Sequence, residues 1–193
     1  MADPYTYPGT AVLRNLAGLK DADALAAREA QVTTLRLAQL AATRLEGTYD
    51  LAHLQAFHHF VFQDLYEWAG ELRSVPLAKP GSMFALPGHI ASYAADVFSA
   101  LAQEQHLRDL PHEPFAARLT HYYAELNAVH PFREGNGRAL RALLRQLALD
   151  ADHSLAWEYL DSTALVYASQ QSFQGDNGPL LDLLLTVLDL PDR

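Results

Sequence analysis

The chain has 193 residues, enough to bury one good core, and its 50% hydrophobic and 19% charged content argues against disorder. Lysine and arginine number 14 against 23 aspartates and glutamates, a formal net charge of −9, which disfavours direct binding of nucleic acid or of an anionic membrane as the main task. Cysteine is absent, so neither a disulfide framework nor thiolate chemistry is available.

Met1-Ala2-Asp3-Pro4 opens without the basic and apolar regions of a secretory signal, and with the lack of cysteine this predicts a cytoplasmic protein. Leu25, Val32, Leu35, Ala38, Ala42 and Leu45 recur at helical spacing and predict one amphipathic helix over about 22–46. Asp50 is placed to cap the next helix, which carries Leu51, Leu54, Phe57, Val61, Phe62, Leu65 and Trp68 and ends at Gly70. Its histidines His53, His58 and His59 do not share one face, and no carboxylate is set beside them, so no zinc site is expected there.

Between 72 and 86 the period changes. Ser74-Val75-Pro76-Leu77-Ala78 and Met83-Phe84-Ala85 flank Lys79-Pro80-Gly81-Ser82, the pattern of two short strands around a turn. Pro76 confines its strand to an edge, and an edge has unpaired backbone groups that accept an extended segment of another protein. Ile90, Ala94, Val97 and Leu101 predict a helix over about 89–105. Phe115, Leu119, Tyr122, Leu126 and Val129 line the face of a helix running into His130, and Leu140, Leu144 and Leu147 line the helix after it. Asp161-Ser162-Thr163 caps a helix through about Gln171, and Gly178-Pro179 introduces the last. The apolar run Leu180–Leu190 is broken by Asp182 and Asp189 and is too short to span a bilayer. The predicted fold is therefore all-α, with one small β-hairpin.

Chemistry concentrates in His130-Pro131-Phe132-Arg133-Glu134-Gly135-Asn136-Gly137-Arg138-Ala139-Leu140-Arg141. Pro131 disfavours helix at the residue before it, so His130 falls at a helix end facing a loop. Gly135 and Gly137 permit positive φ and close approach of backbone to a ligand, and Asn136 tolerates the same region. A helix starting near Gly137 adds unpaired N–H groups and a positive dipole end, a ready site for phosphate. Arg138 and Arg141 share a helix face and can reach neighbouring phosphate oxygens. Glu134 beside such a nest makes sense as the holder of a hard divalent cation such as Mg²⁺, and Phe132 as a buried anchor for the loop.

Every specified position of this string matches His-x-Phe-x-(Asp/Glu)-Gly-Asn-Gly-Arg-x-x-Arg, and the chain resembles the Fic family in it. Upstream, Gly47-Thr48-Tyr49-Asp50-Leu51, His53-Leu54, His58, Phe62 through Glu71 and Arg73-Ser74-Val75 are similar to the family core, and Tyr7-Pro8-Gly9-Thr10 through Leu13 is similar to the start of its bacterial toxin branch. The resemblance implies one Fic domain over 1–193, with its core at about 47–160, the flap hairpin at about 72–86 and the motif at 130–141. It implies a protein adenylyltransferase: His130 as base toward a Ser, Thr or Tyr hydroxyl, ATP as donor on Gly135, Asn136, Gly137, Arg138 and Arg141, Mg²⁺ on Glu134, and a flap that docks the target, carrying Val75, Leu77, Lys79, Met83 and Phe84. Family members that transfer phosphate or use other nucleotide donors supply one alternative, and a catalytically silent nucleotide-binding or interaction domain another. Intact Gly135-Asn136-Gly137 favours AMP transfer, and a retained His130 disfavours the silent domain.

Many Fic proteins are restrained by a helix of pattern (Ser/Thr)-x-x-x-Glu-(Gly/Asn), whose Glu pairs with the second motif arginine, here Arg141. Only Glu46-Gly47 and Glu134-Gly135 offer the terminal pair, and Ala42 and His130 stand four residues before them. The resemblance is thus to the subclass restrained by a separate small antitoxin, in a bacterial toxin–antitoxin pair. Related bacterial toxins modify type II topoisomerase subunits, which makes such a subunit the first target to test.

Overall fold

A computed structural model describes residues 3–79 and 82–190. Among the described residues there are seven α-helices: α1 (Ala22–Ala42), α2 (Leu51–Phe62), α3 (Ile90–Gln103), α4 (His112–Val129), α5 (Asn136–Leu149), α6 (Ser162–Phe173) and α7 (Gly178–Leu185). Asp21, Asp50 and Asp161 accept from the N–H groups of Ala24, His53 and Thr163 and so start α1, α2 and α6. The fold is mainly helical, as the periodicity predicts.

Helix α4 forms the centre. Its Phe115, Leu119, Tyr122 and Val129 are fully buried, and it packs against α3, α5, α6 and α7. Helix α2 lies on α5 and α1. These contacts fix the two helices that flank the motif, α4 before it and α5 after it, within one continuous core that includes Phe132, Leu140, Leu144 and Leu147. A second, smaller cluster of Val32, Val61, Phe62, Leu65, Tyr66, Trp68 and Ala69 fills the space between α1 and the turns after α2.

Two helices are shorter than predicted. Helix α1 stops at Ala42, because the chain peels away to pair with α5: Gln146 accepts from the Leu45 N–H at 2.8 Å and donates to the Leu45 carbonyl at 2.9 Å. Helix α2 stops at Phe62, whose carbonyl accepts from both Leu65 and Tyr66, and the segment through Gly70 is a series of turns that tucks its apolar residues into the second cluster. Gly70, at φ 90°, closes those turns.

The hairpin is also smaller than predicted. Strand β1 (Ala78–Lys79) pairs antiparallel with β2 (Ser82–Met83), with Ala78 opposite Met83 and Lys79 opposite Ser82. Residues 74–77 and 84–85 lie outside the ladder, and Pro80 and Gly81 lie outside the described residues. No helix among the described residues is long and apolar enough to cross a membrane.

Candidate active site

Pro131 ends α4, and His130 caps it in the left-handed region at φ 46° and ψ 62°. That conformation costs a non-glycine residue about 1 kcal/mol or more, so the surroundings must hold it. They do so from three sides. The His130 N–H reaches the Leu126 carbonyl at 3.3 Å. Its carbonyl accepts from Nε of Arg73 at 2.8 Å. Its ring stacks on Phe84, with centroids 3.7 Å apart and planes at 13°.

The tautomer of His130 follows from its neighbour. Nδ1 lies 3.2 Å from the Asn127 carbonyl, and a carbonyl can only accept, so Nδ1 bears the proton and the basic lone pair is on Nε2.

The loop after His130 is locked from within. Asn136 accepts from the Phe132 N–H and donates to the Phe132 carbonyl, both at 2.8 Å. Its side chain, expected on phosphate, is therefore committed to the loop, and only its backbone N–H points to anion binding. Phe132 is fully buried and stacks on His58 with centroids 3.9 Å apart. Arg133, a variable position of the motif, forms an ion pair with Asp3 at 2.7 Å.

Gly135 stands before α5 at φ 78°. A Cβ there would fall 2.2 Å from the Phe62 ring, so both backbone and space require glycine. Gly137, expected to share the positive φ, is helical instead: α5 starts one residue earlier, at Asn136. Its lack of a Cβ leaves room for Arg141, whose Nη1 would lie 3.0 Å from that atom. The N–H groups of Arg138 and Ala139 both turn back to the Gly135 carbonyl at 3.1 Å, which leaves those of Asn136 and Gly137 as the helix-end donors.

The charged residues divide their work. Glu134 accepts from the Gly135 N–H at 2.8 Å and lies 3.5 Å from Arg138. Arg138 pairs with Glu29 of α1 at 2.5 Å, and the other carboxylate oxygen of Glu29 accepts from the Tyr66 hydroxyl. Burial and that carboxylate push the Tyr66 phenol far above its usual range. Arg138 also sits over the Phe62 ring at 4.8 Å. Arg141 has no ion pair among the described residues and is the more available of the two for phosphate.

Arg141 borders two cavities. One, of about 150 Å³, is lined by His130, Gly137 and Arg141 together with Phe84, Tyr123 and Phe173. The other is a groove of about 590 Å³ between α1 and α5, lined by Leu37, Ala41, Arg44, Arg138, Arg141 and Arg145.

Phe84 corrects a sequence expectation. It is only 5% exposed and serves as a platform for His130, so it does not belong to a target-docking surface; the short ladder ends at Met83, and the chain then turns inward. Met83 is 77% exposed, and Val75 and Leu77 are half-buried. The Lys79 side chain lies outside what is described.

Three residues outside the motif were missed. His58 carries no role in the sequence beyond a rejected metal site and a place in the resembling segment. It is fully buried, its Nδ1 accepts from the Gly70 N–H at 2.8 Å, and its Nε2 therefore donates to the Glu134 carbonyl at 2.9 Å. Burial pushes its pKa down to about 4, helped by the positive charge of Arg138. Arg73 appeared only within the resembling segment, yet it is a buried cation. Glu29 carried no signal at all, since its partner Arg138 is 109 residues away.

The model of the Fic/DOC family matches residues 48–148. The chain is 42% identical over 183 residues to "Protein adenylyltransferase VbhT" of Bartonella schoenbuchensis, which covers 95% of this chain and 38% of that protein. It thus spans well under half of that relative. It is 38% identical over 174 residues to "Probable protein adenylyltransferase Fic" of Salmonella typhimurium, covering 90% of this chain and 86% of that one. Among solved structures, the BepC protein of Bartonella tribocorum with bound AMPPNP superposes with a TM-score of 0.91 at 26% identity, over 98% of this chain and 97% of that one.

Proposed function

Because the chain belongs to the Fic/DOC family, we propose that it is a protein adenylyltransferase, moving AMP from ATP to a Ser, Thr or Tyr hydroxyl of a target protein. The observation that carries this is the single cavity shared by His130 and Arg141 at the N-terminal end of α5. Nδ1 of His130 is engaged with Asn127, so Nε2 is the nitrogen to serve as base, and the ring lines the same cavity as Arg141. The relatives named as adenylyltransferases and the neighbour with bound AMPPNP support the same reading.

The target hydroxyl oxygen attacks the α-phosphorus and its proton passes to Nε2 of His130. The bond to the bridging oxygen breaks and pyrophosphate leaves. A positioned base contributes roughly 10²- to 10⁴-fold. The N–H groups of Asn136 and Gly137 and the α5 dipole stabilise phosphate charge, and Arg141 takes the terminal phosphate. Arg138, tied to Glu29, contributes its charge from a fixed position.

Glu134 fits Mg²⁺. Its side chain is 45% exposed, it offers hard oxygen, and no group of three His, Asp or Glu side chains suited to a metal exists among the described residues. Such a site suits a cation that takes few protein carboxylates and borrows phosphate oxygens. Glu134 would hold Mg²⁺, which would supply charge neutralisation to the phosphates.

The flap edge with Val75, Leu77 and Met83 receives the target by strand addition, and a type II topoisomerase subunit is the first candidate. For control, Arg141 lines both the active-site cavity and the groove between α1 and α5, which carries Arg44 and Arg145 as well. It suits a small antitoxin whose Glu pairs with Arg141 in place of the terminal phosphate. The setting is the bacterial cytoplasm. Incubation of a bacterial lysate with the chain and ATP labelled at the α-phosphate tests the activity: a labelled protein band supports it, and no band rejects it.

A further inference from the structure

Arg73 is 2% exposed and has no carboxylate partner among the described residues. Its guanidinium spends its donors on four carbonyls instead. Nε donates to His130 at 2.8 Å, Nη1 to Val75 at 2.8 Å, and Nη2 to Ala85 and, at 3.4 Å, to Val129. Its own N–H donates to the Pro131 carbonyl at 2.9 Å. Burying a cation without a counter-ion is costly, and desolvation lowers the Arg73 pKa.

The four carbonyls explain what the cation does. Val129 and His130 lie at the C-terminal end of α4, the negative end of its dipole, where a cation is stabilised. Val75 precedes β1 and Ala85 follows β2, so they belong to the two arms of the hairpin. One planar fork therefore joins both arms to the backbone of the catalytic histidine. Phe84, next to Ala85, is laid on the His130 ring by the same bond. The Ala85 N–H adds a bond to the Ala128 carbonyl at 3.1 Å.

We infer that Arg73 is a positioning residue for the transfer: it sets the distance and angle between the flap, which holds the target segment, and the His130 imidazole, which takes the target's proton. This rests on the reading of His130 as the base. Lysine keeps the charge but has its donors on one point, so it cannot bond carbonyls on both hairpin arms and α4 together. Removal of a positioning group acts on turnover more than on nucleotide binding.

The test compares the full chain with Arg73→Lys and Arg73→Gln. It reads the His130 Cε1–H signal by NMR, the affinity for ATP, and AMP transfer to the protein labelled in lysate. In wild type the Phe84 ring shifts the His130 signal, and Phe84→Leu supplies the unshifted reference. The expected result for Arg73→Lys is a signal moved most of the way to that reference, ATP affinity within about threefold, and transfer lowered at least about tenfold. A folded Arg73→Lys with the wild-type His130 signal and transfer within twofold overturns the inference. If both variants fail to fold, the Arg73 Nε–H of wild type decides: slow solvent exchange, with and without ATP, is expected, and exchange as fast as an exposed arginine overturns it. A wild type that transfers no AMP would defeat the adenylyltransferase reading, while the NMR signals would still judge Arg73.

Discussion

His58 donates from Nε2 to the carbonyl oxygen of Glu134, 76 residues further along the chain, while its Nδ1 accepts from the Gly70 N–H, and it can make both bonds only while neutral and with its proton on Nε2. The Gly70 N–H at Nδ1 enforces the tautomer. Helix α2 thereby holds the residue that presents the motif carboxylate.

A pH dependence follows from the burial of this ring. Folding lowers the His58 pKa from 6.5 to about 4, so the unfolded chain takes up the proton first as pH falls. The His58 contribution to stability is complete above about pH 6.5, declines below it, and levels off near pH 4, a fall of about 3 kcal/mol at full extent. Thermal unfolding of wild type and His58→Asn between pH 7 and 4.5 checks this. The variant is less stable at pH 7 and the gap narrows on acidification. A constant gap would contradict the assignment.

Gly135→Ala tests the turn that starts α5. A left-handed backbone and a Cβ driven into Phe62 together cost about 2–4 kcal/mol, and the loop that carries Glu134 moves. Urea unfolding is expected to show that loss together with weakened ATP binding. An alanine variant of wild-type stability would mean that the loop adopts another path.

The two motif arginines are expected to separate. Arg141→Ala weakens ATP binding about tenfold or more through the loss of a charge-assisted contact, with little effect on stability. Arg138→Ala leaves Glu29 half-buried without its partner and lowers stability by about 1–3 kcal/mol. Titration with ATP and thermal melts of both variants would expose an error in this division if the two behaved alike.

What the sequence made legible was local. The helix stripes, the aspartate caps and the motif loop depend on neighbours within a few residues, and they were readable for that reason. The ends of α1 and α2 were not. Gln146 and Asp150 draw the chain away after Ala42 through bonds spanning about a hundred residues, and apolar Leu65 and Trp68 continue a helical stripe while packing in turns. Phe84 looked like a strand residue on a docking edge, because alternation does not reveal that the ladder ends at Met83. His58 and Arg73 act on backbone carbonyls and amides, which have no identity in a sequence. Their roles became visible only once the loop they hold had a position.

The most direct measurement of the central claim is mass spectrometry of the protein labelled in lysate after incubation with ATP, with wild type and His130→Ala in parallel. A gain of one AMP on a Ser, Thr or Tyr is predicted for wild type, with the rate reduced roughly 10²- to 10⁴-fold in His130→Ala while that variant still binds ATP. A gain of phosphate alone, or an undiminished gain of AMP with His130→Ala, would contradict the account.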